Sequence, residues 1–403
     1  MSKIIIVFDQ PSWGGTDSHL TYLLEAWPNN NDKIEIYYNS YNKGISRVKE
    51  NLKNQSNIYF IEYNHKLINL FEYFNSLKYI KILNYFFIPF RFIIMKKYFK
   101  KIFKLEKFDS LLSLNGGYPG SYGSLASVIE AKKANLQSIN MVVYHCAKKP
   151  IFLYNKFRLN LDRDIANSLD NLISISEATL LTIKQNTKIL QYLKKDKSKI
   201  IYCGIRIETK IVDKINLSKN YKYQDRKLIG ILGRIQKYKG QEDLVMGYKE
   251  LPNSYKEKIN IAIIGRGDKK ETEDIMQYIE KNNLKDNVKL LGFIDRKSNV
   301  IMNSLDLLVF ATRNWDGWSL VAAEAMSVGV PVISTRVGAT TEFINDSNGY
   351  LIKPYSASDM TKALMDFVDN HNEWKERALK ANEDIRKYDA KIYSKIYRDT
   401  IIP

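Results

Sequence analysis

Two carboxylates stand eight positions apart in RNWDGWSLVAAEAMSVGVPVIST, residues 313–335. Asp316 precedes a Gly317-Trp318-Ser319 turn, and Glu324 lies among Ala322, Ala323, Ala325 and Met326. A helix that begins at Ser319 or Leu320 turns its free N–H groups and positive dipole end toward Asp316, which favours phosphate oxygens there. A charge in apolar company needs partners, and for Glu324 a ribose diol offers two donors. The pattern suits a sugar–diphosphate–nucleoside, with an acid at each end and the phosphates between. A solvent-facing glutamate on a surface helix is the competing reading.

A second loop carries the complementary charge. In GRIQKYKGQEDL, residues 233–244, Arg234 and Lys239 reach back over a strand that ends near Gly233, and Gly240 opens the next helix. Two such cations neutralise a diphosphate without a metal, or the loop is a solvated basic turn; no Gly-Lys-Ser/Thr follows, so this is not a Walker A loop. In QPSWGGTDSHLTYLL, residues 10–24, Gly14 and Gly15 precede an apolar stripe of Leu20, Leu23, Leu24 and Trp27, with Thr16 or Asp17 as the cap. The glycines let backbone N–H groups approach a ligand, or they form a tight strand–helix turn. IIGRGDKKE, residues 263–271, reads as a structural turn, with Arg266 or Gly267 at a cleft edge. His145 ends an apolar run, as a ligand-facing hydrogen bonder or as a buried, satisfied histidine. A nucleophilic pair with Cys146 is not expected, because neighbours at a strand end point apart. The histidines (His19, His65, His145, His371) are scattered, and two cysteines, Cys146 and Cys203, give neither a disulfide framework nor metal-ligand spacing.

These loops need a scaffold, and the apolar runs supply one. Strand candidates fall at 3–9, 33–38, 57–63, 110–114, 138–144, 171–176 and 199–204, then at 227–233, 260–265, 288–292, 305–310, 330–335 and 349–353. Several are apolar on both faces and alternate with amphipathic segments, which describes parallel sheets covered by helices. Two successive series imply two doubly wound Rossmann-like α/β domains, at 1–205 and 206–385, with a bent helical segment at 386–403. A chain of 403 residues is consistent with two domains. It opens directly into KIIIVFD without a leader pattern, so a cytoplasmic, reducing setting is expected.

Charge is uneven. The net value is +18, with 29 Lys/Arg against 16 Asp/Glu in residues 1–205 and 33 against 28 in the rest. The basic front half calls for an anionic partner: nucleic acid, a membrane surface or a phosphorylated substrate. Its densest stretch is NYFFIPFRFIIMKKYFKKIFKLEKF, residues 84–108. There Met95, Tyr98, Phe99 and Ile102 fall on one helical face and Lys96, Lys97, Lys100, Lys101 and Lys104 on the other. The run is too short and interrupted to span a bilayer. An aromatic face opposite a lysine face suits the headgroup layer of an anionic membrane; a core-packed surface helix with a solvated lysine face is the alternative. No nucleic-acid-binding motif accompanies the charge.

The stretch DGWSLVAAEAMSVGVPVIST followed by VGATTEFINDSNGYLIKP resembles the donor-binding signature of retaining glycosyltransferases of family 4, which have the GT-B fold of two Rossmann-like domains facing a central cleft. GRIQKYKGQEDL resembles that family's Gly-Arg…Lys-Gly loop. The Gly14–Gly15 loop, NGGYPGS at 115–121, His145, SIS at 174–176 and VKLLGFI at 288–294 follow in the family's order, so the resemblance spans nearly the whole chain.

The resemblance implies a donor-binding second domain and an acceptor-binding first domain, onto which the terminal helix returns. Arg234 and Lys239 would bind the diphosphate of a UDP- or GDP-linked hexose beside Gly233. Glu324 would hold the ribose. Asp316 and His145 would contact the transferred sugar, with Gly317, Trp318 and the N–H groups of Ser319 and Leu320 nearby. Phe293 and Ile294 would frame the base, and Gly14 and Gly15 would close over the phosphate. Asn115 and Tyr118 would lie on the acceptor side. No cofactor or metal is implied, and the acceptor would be a glycan or lipid-linked glycan in cell-surface polysaccharide synthesis, reached from the cytoplasmic membrane face. Asp316 departs from the family's usual Glu, and Trp318-Ser319 replaces a common Phe-Gly, which puts the donor sugar in doubt. A sugar-nucleotide-binding protein with weak catalysis and a nucleic-acid-binding protein are the other readings.

Overall fold

The computed structural model describes residues 1–10, 14–42, 44–63, 81–149, 155–208 and 213–402, with only the backbone of 81–87 and 155. It divides into two compact units, Met1–Gly204 with Ala390–Pro403, and Ile205–Asp389.

Each unit is built on one parallel sheet. In the first, β1 (Lys3–Phe8), β2 (Lys33–Asn39), β3 (Ile58–Tyr63), β4 (Ser110–Asn115), β5 (Ser138–Val143), β6 (Asn171–Ser174) and β7 (Ser198–Ile200) run in the order β3-β2-β1-β4-β5-β6-β7. In the second, β8 (Lys227–Leu232), β9 (Ile259–Ile264), β10 (Val288–Gly292), β11 (Leu307–Phe310), β12 (Val332–Thr335) and β13 (Tyr350–Ile352) run in the order β10-β9-β8-β11-β12-β13. Every residue of β4, β5 and β9 is buried, as expected of strands covered by helices on both faces. In each sheet the order reverses beside the first strand, at β1/β4 and at β8/β11. The crevice beyond the carboxyl ends at such a switch point is where doubly wound sheets take ligands. The loops with candidate chemistry follow β1, β4 and β5 in one unit and β8, β9, β10 and β11 in the other.

The last helix, Ala390–Ile401, belongs to the first unit. Arg398 donates to both oxygens of the fully buried Asp32, at 2.6 and 3.3 Å, while Ser394 Oγ donates to the Leu23 carbonyl. A short turn at Arg386–Tyr388 precedes it.

The basic aromatic segment departs from expectation. It forms one helix, Lys81–Leu105, that continues through Pro89. Met95 and Phe99, assigned from periodicity to a membrane-facing side, are buried in the first unit's core with Phe92 and Phe103, and Tyr98 and Ile102 pack against them. The aromatic stripe lies on the unit's own hydrophobic core, and helix Tyr122–Lys133 packs closely against it. The outward side carries Lys97, Lys100, Lys101 and Lys104, with Phe90 and Ile93 each 50% exposed. No helix among the described residues is long and apolar enough to cross a membrane.

Candidate functional site

In the second unit the loops after β8 and β11 meet. Lys239 ends a short 3-10 turn, Lys237–Lys239, after which Gly240 adopts φ +75 and seats its backbone against the Ala311 carbonyl. A side chain at Gly240 would strike that carbonyl, so glycine is required on both counts. Lys239 Nζ lies 3.1 Å from Asp316 Oδ2, with both side chains partly buried. The other Asp316 oxygen accepts the Trp318 N–H at 3.2 Å, a short-range turn that a side chain as short as Asp makes readily. Arg234 is exposed at the end of β8, with its guanidinium 3.4 Å from the Tyr238 hydroxyl. The two cations expected to meet a diphosphate and the first acid therefore share the carboxyl end of the sheet.

Helix Leu320–Ser327 starts from Ser319, whose hydroxyl accepts the Ala322 N–H. The Leu320 N–H, expected to face phosphate, instead donates to the Trp318 carbonyl at 3.0 Å. Glu324 is only 7% exposed, so it is not a solvent-facing glutamate. Trp318, expected beside the ligand, is a packing residue: it is buried with its ring 4.6 Å from that of Phe343 and 4.8 Å from that of Tyr388. Gly317 is buried between Asp316 and Trp318.

Three loops are laced together through glycine backbones. The Gly233 N–H donates to Ile264, and the Gly265 N–H donates to Gly292. Gly265, at φ +148, presses on Gly233 where a side chain would collide. This makes GRG a structural turn, as its sequence suggested, and Asp268 caps the following helix through the Lys270 N–H. The turn also brings Arg266 over the half-buried Phe293 ring at 5.0 Å, beside Ile294.

In the first unit the site residues divide differently. Helix Gly15–Glu25 starts from Gly14, whose φ of −178° any residue adopts and around which a side chain would meet open space. Neither Thr16 nor Asp17 is the capping residue; Asp17 reaches back from the first turn to accept the Gly14 N–H at 2.8 Å. Gly15 is exposed, and residues 11–13 of this loop lie outside the described residues. Asn115 and Tyr118, assigned to the acceptor side, are fully buried scaffolding. Asn115 brackets its own loop, donating to Gly120 and accepting from Gly117, and the Tyr118 hydroxyl donates to Asp162 at 2.6 Å. His145 is exposed after β5, but its Nδ1 is 3.1 Å from Cys146 Sγ, so these neighbours do meet. Burial nevertheless raises the Cys146 thiol pKa, with Lys148 opposing, which is the wrong direction for a nucleophile.

Two buried residues escaped the sequence reading. His19 lies with Nδ1 2.6 Å from the Tyr144 hydroxyl, against Tyr397; burial lowers its pKa to about 3. It stays neutral near pH 7 and ties the first helix to the residue before His145. Its place beside Leu20 on the apolar stripe was the available signal. Arg313, after β11, reaches acids 70 residues away, and nothing local to it announces that.

Residues 213–388 match the family Glycosyl transferases group 1. An uncharacterized glycosyltransferase of Methanocaldococcus jannaschii is 24% identical over 225 residues, 55% of this chain and 54% of that protein. The poly(ribitol-phosphate) alpha-N-acetylglucosaminyltransferase of Staphylococcus aureus is 26% identical over 290 residues, 72% of this chain and 54% of that protein. The matches thus span about half the length of these two relatives. Among solved structures, Anabaena HepE in complex with UDP and glucose superposes with a TM-score of 0.71 at 16% identity, covering 99% of both chains. The chain is therefore an α/β protein of two parallel-sheet, Rossmann-like domains with the GT-B fold, and residues 213–388 of its second unit match the glycosyl transferases group 1 family.

Proposed function

We propose that this chain is a retaining, metal-independent glycosyltransferase that moves a hexose-type sugar from a UDP- or GDP-linked donor to a glycan or lipid-linked acceptor in cell-surface polysaccharide synthesis. The observation that carries the reading is the meeting of Lys239 with Asp316 at 3.1 Å on the switch-point edge of a glycosyl transferases group 1 domain. Arg234 and Lys239 take the diphosphate, Glu324 the ribose and the Arg266–Phe293 edge with Ile294 the base. The relatives agree in kind: the Staphylococcus enzyme acts on poly(ribitol-phosphate), and the Anabaena protein was crystallised with UDP and glucose.

In the proposed reaction the bond between the anomeric carbon and the diphosphate oxygen breaks as the acceptor hydroxyl attacks from the same face. The hydroxyl proton passes to the departing phosphate. Arg234, Lys239 and the end of helix Leu320–Ser327 stabilise the charge that develops on the leaving group. Asp316 holds the sugar. A panel of UDP-, GDP- and ADP-sugars should include one that raises the melting temperature, since a ligand at 100 times its Kd adds about 2.7 kcal/mol. Indifference to the whole panel would sink the reading. The internal bonding of both Asp316 oxygens favours a second reading, a sugar-nucleotide-binding protein with weak turnover; donor hydrolysis without acceptor separates the two.

The first unit meets an anionic membrane through the outward face of helix Lys81–Leu105 rather than through its aromatic stripe. Phe90 and Ile93 project among the lysines, and Ile93, Lys96, Lys97, Lys100, Glu130 and Lys133 line a groove of about 200 Å³. Each lysine near such a surface contributes about 1 kcal/mol. The chain is expected to sediment with anionic liposomes at low salt and to be released at high salt. Equal sedimentation with neutral liposomes would reject this face.

A further inference from the structure

Lys239 does not hold its position by itself. On one side of it, the carbonyls of Lys237 and Tyr238 are both taken by one residue of the neighbouring loop, Arg313: Nη1 donates to Lys237 at 2.9 Å, and the Arg313 backbone N–H donates to Tyr238 at 2.7 Å. On the other side, the same guanidinium grips the first turn of helix Gln241–Lys249. Nε and Nη2 donate to the two oxygens of Asp243 at 2.9 and 2.8 Å, and Nη2 also donates to Glu242 at 3.0 Å. Arg313 is 7% exposed. Its bonds to Asp243 and Glu242 outweigh burial and raise its pKa further. The Tyr355 ring lies 5.2 Å from the guanidinium, and the Tyr355 hydroxyl bonds Asn314. Tyr355 holds φ +60, a left-handed conformation unusual for a bulky residue.

We infer that Arg313 is a positioning residue for diphosphate binding, fixing residues 237–243, and with them Lys239, against the loop that bears Asp316. The inference rests on the donor reading above. Only a planar fork satisfies the side-chain and backbone acceptors at once; a lysine ammonium replaces part of that set. Arg313 itself touches neither sugar nor phosphate. Its loss should therefore be felt where the phosphates bind and not where the nucleoside binds.

The experiment titrates the full-length wild type, Arg313→Met and Arg313→Lys with UDP and GDP by calorimetry. Uridine and guanosine binding is compared by saturation-transfer NMR, with melting temperatures recorded throughout. For the diphosphate that the wild type binds, Arg313→Met should weaken affinity by about tenfold, with Arg313→Lys intermediate, which is within the range of coupling carried by such networks. Binding of the matching nucleoside should stay unchanged. Unchanged diphosphate affinity, or an equal fall for diphosphate and nucleoside, would overturn the inference. If Arg313→Met fails to fold, Glu242→Gln removes one partner at a more exposed acid and should weaken the diphosphate alone by about twofold to threefold; no selective loss there overturns it as well. A wild type that binds neither diphosphate would bring down the donor reading and this inference with it, whereas a change confined to the variants' diphosphate affinity supports both.

Discussion

Arg234→Ala and Lys239→Ala are each expected to lower sugar-transfer turnover by about 10²-fold or more, the scale on which a single preorganised donor to a developing anion acts. In the proposed reaction the diphosphate gains charge as the sugar leaves, so these cations would bind the transition state more strongly than the intact donor. The two should not be equal. Arg234 is exposed and bonded only weakly, to Tyr238 at 3.4 Å, so its removal deletes one contact. Lys239 also holds Asp316, with Nζ 5.5 Å from the centre of the Phe310 ring, so its removal also releases the Asp316 carboxylate. Lys239→Ala should be the more severe, and its donor KM should rise as kcat falls. Steady-state rates with donor and acceptor, or donor hydrolysis alone, measure this. Near-normal turnover in both variants would remove the site.

The second large effect is structural. Gly338 holds φ +53, and a side chain there would collide with the Asp316 carbonyl, to which the adjacent Ala339 N–H donates at 3.1 Å. Gly338→Ala should cost about 3 kcal/mol, combining 1–3 kcal/mol of overpacking with 1–2 kcal/mol for the left-handed backbone. It should also weaken nucleotide binding, because the displaced Asp316 anchors Lys239, the cation proposed for the diphosphate. Gly329 provides the control. It too has a left-handed backbone, at φ +74, but a side chain would meet open space, so Gly329→Ala should lose about 1 kcal/mol and keep its ligand response. Urea midpoints and the melting shift with nucleotide test both. Equal losses at the two glycines would show that the collision is not what matters.

All thirteen strands among the described residues overlap an apolar run of the sequence, and those buried on both faces are written as continuous apolar runs. β4 and β9 stand out on this ground without any knowledge of their neighbours. The order of strands in the sheets was not written locally, since β1 pairs with β4 across two intervening strands of the sequence. The acids and cations of the second unit were legible because their loops sit directly after strands, and Lys239 and Asp316 do meet. What failed shares a physical cause, contacts that no local pattern or resemblance displays. Periodicity tells which residues share a face, but not what covers that face. Met95 and Phe99 were assigned to a membrane when helix Tyr122–Lys133 packs on their helix. Asn115, Tyr118 and Trp318 were assigned to ligands when hydrogen bonds and rings inside their own units occupy them. Arg313 went unseen for the converse reason, since its partners are close in space and distant in sequence.

The bond between Arg398 and Asp32 has a consequence for synthesis. The ribosome makes Asp32 early, and its partner emerges only after the 185 residues of Ile205–Asp389. At roughly 5–20 residues per second that delay is about 10–40 s. Throughout it the first unit waits on the ribosome without the helix that covers Leu23 and neutralises its buried acid, while the second unit is free to close. Nascent-chain folding should therefore run back to front, with the amino-terminal half the last to resist protease.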